Sequence, residues 1–117
     1  MNITIEDLNT GVRKIALSGR MDIDGTGVIG TRLTAAAATT DRLSIVIDMA
    51  GVEYIGSLGL GTFVAITRAV GRRRGKMVLF SLQPEVAKVF ETSKMDQFIP
   101  IVADVDAALA AVQLTAG

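Results

Sequence analysis

Three glycines clear the space around one hydroxyl in the run Gly56-Ser57-Leu58-Gly59-Leu60-Gly61. Leu58 and Leu60 are apolar where the start of an exposed helix is ordinarily polar, so a partner surface can reach Ser57 easily. A serine at such a turn has a structural use as well, because its oxygen can accept from the unpaired amides of a first helical turn. The other groups with chemical capacity are carboxylates: Asp22, Asp24, Asp48 and Glu53 could in principle work as paired acids and bases, although such a cluster in a short chain is ordinarily a set of caps and turns. The 117 residues include no Cys and no His. That excludes a thiolate nucleophile, an imidazole base, a Ser-His-Asp triad and a zinc site of the usual ligands.

The elements that must hold Ser57 follow from periodicity. Residues 44–49 are apolar and rich in β-branched side chains (Ile45, Val46, Ile47), which fits a strand buried on both faces with helical crossovers on either side. Beyond Gly56 the spacing turns helical, with Leu60, Phe63, Val64 and Thr67 in one stripe and Val70 close to it, so Ser57 falls at or next to the helix N-cap. Before this unit, residues 2–7 and 12–17 alternate as two strands joined by a turn at residues 9–11, a β-hairpin. A helix over 26–39 is expected to turn Val28, Ile29 and Leu33 to the sheet, with Asp24 as its cap.

After the central helix come a strand over 77–82 and a helix over 85–92 with Pro84 in its first turn and Val86, Val89 and Phe90 inward. An edge strand over 98–102 is marked by Pro100. A last helix capped by Asp104 follows, with Val105, Leu109 and Val112 apolar, and residues 114–117 are expected to fray. The order β-β-α-β-α-β-α-β-α gives an α/β fold whose mixed, mostly parallel sheet has about five strands and about four helices. Binding sites in such sheets gather at strand carboxyl ends, where Ser57 lies.

Two runs carry weaker signals. Residues 25–30, GTGVIG, spell a dinucleotide fingerprint, but Asp22 and Asp24 stand where a pyrophosphate would sit and the chain is too short for two nucleotide-binding halves. Arg72, Arg73, Arg74 and Lys76 read as a solvated helix end complementing the macrodipole.

The stretch from Asp48 to Gly61, DMAGVEYIGSLGLG, resembles the signature of the STAS superfamily, and within it the anti-sigma-factor antagonists. The match takes in Asp48, the apolar positions Met49, Val52, Tyr54 and Ile55, then Ser57 and the Gly59-Leu60-Gly61 tail. Gly56 stands where that family usually has Asp, and Leu58 where it has Ser or Thr. Gly19, Met21 and Asp22 match by position a GELD-like segment, and on that basis Asp22 belongs near the Ser57 turn.

The resemblance implies a STAS-like fold, a single domain over 1–117 and no catalysis by this chain. It implies that Ser57 is the phosphoacceptor and that Asp22, Gly56, Ser57, Leu58, Gly59, Leu60 and Gly61 bind the partner. That partner would be an ATP-dependent anti-sigma serine kinase of histidine-kinase-like ATPase fold, with a PP2C-type phosphatase resetting the cycle. Because Gly56 removes a carboxylate beside the acceptor and loosens the backbone, a kinase tuned to Asp would phosphorylate the chain poorly. The alternative within the superfamily is an accessory subunit regulating a transporter ATPase through the same face.

Composition is consistent with a protein partner. Twelve basic residues balance twelve acidic ones, so nothing general attracts nucleic acid or an anionic membrane. Half of the residues are apolar, enough for one packed core and too few residues for two domains. No run approaches the roughly 20 apolar residues of a membrane helix, and the first residues carry acid where a signal peptide carries base. The expected location is the cytoplasm, with no cofactor and no metal.

Overall fold

Alternation along the central strand sets the architecture. In β3, Ser44–Ile55, the side chains of Ile45, Ile47 and Met49 join one core cluster, while Val46 between them joins another. The sheet is therefore buried on both faces there. On one side lie α1 (Ile23–Ala38), α2 (Ser57–Arg72) and α3 (Pro84–Thr92), contributing Ile29, Leu33, Phe63, Ile66, Val70, Val86 and Phe90. On the other lies α4, Val105–Gln113, with Ala108 and Val112 against Val12, Val46, Val78 and Phe80. The computed structural model describes residues 1–8 and 11–113.

The five strands stand in the order β1-β2-β3-β4-β5. β1 (Asn2–Asp7) pairs antiparallel with β2 (Val12–Met21), and β2, β3, β4 (Lys76–Phe80) and β5 (Ile101–Val102) run parallel. This is the mixed α/β sheet with an opening hairpin that the sequence pattern requires. Asn9 and Thr10 of the expected hairpin turn, and the expected fraying of residues 114–117, lie outside the described residues.

Several boundaries differ from those read off the sequence, each for a physical reason. β2 and β3 both run on past their apolar stretches, to Met21 and Ile55, because each supplies the other's hydrogen bonds through two register shifts, one beside Gly19, whose φ of +111° favours glycine. α1 starts earlier than expected because Asp22, not Asp24, is its N-cap, its Oδ1 accepting from Gly25 N at 2.7 Å. With that phase, Thr26, Ile29, Leu33, Ala36 and Ala37 turn inward, and Val28, expected against the sheet, is 69% exposed. In α2 the buried stripe is Gly59, Phe63, Ile66 and Val70, and Leu60, Val64 and Thr67 flank it half-buried.

The expected edge strand over 98–102 shrinks to Ile101–Val102. The amides of Phe98 and Ile99 are taken up by the Met95 carbonyl of a 3-10 turn, and Pro100 has none to offer. Asp104 caps α4 as expected, accepting from Ala107 N at 2.9 Å.

The basic run is not wholly solvated. The Arg73 guanidinium donates to the carbonyls of Ala37, Thr40 and Arg42 at 2.8, 2.7 and 3.0 Å. α1 ends in small residues with no basic side chain in its last turn, so its orphan carbonyls are met from outside, by Arg73 at the C-cap of α2 and by Arg13 on β2, which donates to Ala36 O at 3.1 Å.

Candidate functional site

The parallel pairing of β2 and β3 ends with Met21 opposite Ile55, and each strand passes at once into a helix. Gly56 N donates to Met21 O at 3.0 Å, which ties the two exits together. The result is an open cleft of about 920 Å³ at the strand carboxyl ends, lined by Met21, Asp22, Ile23, Asp24, Tyr54, Gly56, Ser57 and Leu58. Among the described residues, neither lysine nor arginine lines it.

Ser57 is the first residue of α2 and is exposed. The N-cap is Gly56, and no side chain caps this helix. Ser57 is therefore next to the cap and does not serve as it, so the first-turn amides leave a partial positive charge beside the hydroxyl. Leu58, 48% exposed, and Ile23, 77% exposed, stand on the same cleft. The hydroxyl is thus presented to solvent within an apolar rim, a setting for contact with a second macromolecule.

Of the residues singled out in sequence, the fold brings Asp22, Gly56, Ser57 and Leu58 into one cleft. The other three do not line it. Gly59 is buried, because a Cβ there would meet Ile55 at 2.9 Å and Met21 at 3.2 Å, and Leu60 packs half-buried on the core. Gly61 is exposed, with open space where a Cβ would be.

The carboxylates do not form a reacting pair. Asp22 is occupied as the α1 cap with Arg20 Nε 3.8 Å away, and Asp48 Oδ1 accepts from Ala50 N at 2.9 Å. Only Asp22 and Asp24 of the four line the cleft. Among the described residues no group of three or more acidic side chains is placed to hold a metal ion, and no helix is long and apolar enough to cross a membrane.

Sequence reasoning missed Arg20 and the role of Tyr54. The Arg20 guanidinium lies over the Tyr54 ring, its Cζ 4.6 Å from the centroid. The only signal for it was their matching register at the ends of β2 and β3, which requires knowing the bulges first.

Comparison with known proteins gives a consistent result. The family model described as STAS domain matches residues 7–108. A protein of Bordetella bronchiseptica named as a candidate anti-sigma factor antagonist, BtrV, is 27% identical over 111 residues, covering 95% of this chain and 94% of its own. The anti-sigma-B factor antagonist of Listeria monocytogenes is 28% identical over 103 residues, covering 86% and 90%. Among solved structures, an anti-sigma factor antagonist from Mycobacterium paratuberculosis superposes with a TM-score of 0.84 at 25% identity, covering 96% of this chain and 93% of that one.

Proposed function

The chain belongs to the STAS domain family, and we propose that it is an anti-sigma-factor antagonist of the cytoplasm, a binding regulator with no catalysis of its own. In this reading the unmodified protein docks on an anti-sigma serine kinase and frees its sigma factor. The kinase then phosphorylates Ser57, and a PP2C-type phosphatase removes the phosphate. The observation that carries the reading is the exposed, uncapped Ser57 hydroxyl inside an apolar rim at the strand ends. The names borne by relatives that match over most of this chain support it.

Charge explains why such a modification acts on binding more than on folding. A phosphate on Ser57 adds about −1.5 to −2 at neutral pH. Within the chain it meets the N-terminus of α2, a favourable contact worth about 0.3 to 1 kcal/mol, set against the like charges of Asp22 and Asp24 on the same cleft. Against a docked apolar surface it must shed water, at an effective cost of several kcal/mol where the partner offers no cation. A penalty of about 3 to 4 kcal/mol is a roughly 100- to 1000-fold loss of affinity.

In the transfer step the Ser57 oxygen bonds to the γ-phosphorus of ATP as ADP leaves. The hydroxyl proton passes to a base on the kinase. Incubation of the purified protein with the kinase and ATP, read by intact mass, tests the assignment. Wild type is expected to gain one phosphate and Ser57→Ala none. A phosphate gained by Ser57→Ala, or none gained by wild type, contradicts it.

A further inference from the structure

Gly56 has no side chain, yet the space in front of it is taken. A Cβ at Gly56 would lie 3.2 Å from the Tyr54 hydroxyl and 3.4 Å from Cε2 of its ring. The same ring carries the Arg20 guanidinium at 4.6 Å, and Arg20 Nε is 3.8 Å from Asp22 Oδ2. Asp22 is fixed in turn by its bond to Gly25 N. A continuous set of contacts thus runs from the cap of α1 to the residue before Ser57.

Tyr54 is 42% exposed, so its ring is held in place while still facing outward. Exposed aromatics that are already ordered lose little entropy on docking, which is why tyrosine and arginine recur among the few residues that dominate an interface. Ile23 and Leu58 continue the ring's apolar surface along the cleft.

We propose that Tyr54, positioned over Gly56 by Arg20, is the anchoring residue of this face, the ring against which the partner kinase packs an apolar side chain. The proposal rests on the kinase-docking reading above. Glycine at 56 is then part of the same device: a carboxylate there would crowd the ring and offer Arg20 a competing partner. Tyr54, Arg20 and Gly56 act as one unit, so their substitutions are coupled.

The chain has one tyrosine and no tryptophan, so tyrosine fluorescence reports on this ring alone. The experiment titrates wild type, Tyr54→Ala, Arg20→Ala, the double variant, Gly56→Asp and Ser57→Asp with the purified kinase, after thermal melts confirm that each is folded. Tyr54→Ala is expected to weaken binding about 10- to 100-fold and Arg20→Ala about 2- to 5-fold, with the double variant no weaker than Tyr54→Ala alone. Gly56→Asp is expected to change the tyrosine emission of the free protein and to weaken binding.

Release of Ser57→Asp while Tyr54→Ala binds like wild type overturns this proposal alone. Additive losses from Tyr54→Ala and Arg20→Ala also overturn it, because they deny the coupling. Undiminished binding of Ser57→Asp overturns the kinase-docking reading and this proposal with it.

Discussion

At the scale of single residues, Arg73 shows how much one side chain can hold. Its three bonds to the carbonyls of Ala37, Thr40 and Arg42 join the ends of α1 and α2, and charge-assisted bonds of this kind are each worth about 1.5 to 3 kcal/mol. Because such bonds do not add and the freed carbonyls regain some water, Arg73→Ala is expected to cost about 2 to 4 kcal/mol in denaturant unfolding, less than the sum of the three. Arg73→Lys should recover little, since an ammonium cannot span three carbonyls as the planar guanidinium does. In sequence this residue was indistinguishable from Arg72 and Arg74, because a run of like charges does not reveal which member points inward. Ser57 was legible for the opposite reason: the glycines and leucines around it already restrict it to an exposed bend. Asp22 was placed near it by resemblance, and its second role as the α1 cap emerged only with the helix phase.

At the scale of elements, types and order could be read from periodicity, while ends and faces were set by partners. α1 illustrates the difference. Its sequence is so rich in Gly, Ala and Thr that apolar spacing barely distinguishes its sides, and in the helix that starts from the Asp22 cap Val28 is exposed. The long pairing of β2 with β3 was hidden because Ser18-Gly19-Arg20 looks like a loop until the neighbouring strand is present. The α1 glycines separate into two kinds. A Cβ at Gly25 would overlap the Arg20 carbonyl, whereas one at Gly27 meets nothing within 4 Å. Gly27→Ala is accordingly expected to stabilise the protein by about 0.5 to 1 kcal/mol in thermal unfolding, and Gly25→Ala to destabilise it.

At the scale of the whole molecule, the sheet is a wall with three helices on one face and α4 on the other, and its strand ends present Ser57. With no histidine in the chain, no side chain at its ordinary value titrates between about pH 5 and 8. The acid limb has an identifiable contributor in Asp7. Its carboxylate accepts from Arg13 Nε at 2.6 Å and lies 3.4 Å from Arg42, and the Arg13 bond holds it below the usual carboxylate value. A depressed folded value means that the stabilisation is complete above the unfolded value and is lost as pH falls through the folded one. Melting temperature is expected to stay level from about pH 5 to 8 and to drop below about pH 4. Asp7→Asn should lower the plateau slightly and soften that drop.

The molecule-wide account depends on one surface being usable in one charge state at Ser57 and unusable in the other, while the fold stays the same. The most direct measurement is the affinity of the purified kinase for wild type, Ser57→Ala and Ser57→Asp by calorimetric titration, with melting curves of all three alongside. The account predicts equal melting temperatures, near-equal affinities for wild type and Ser57→Ala, and a loss of on the order of 100-fold or more for Ser57→Asp. Equal binding by all three proteins, with all three folded, would contradict it.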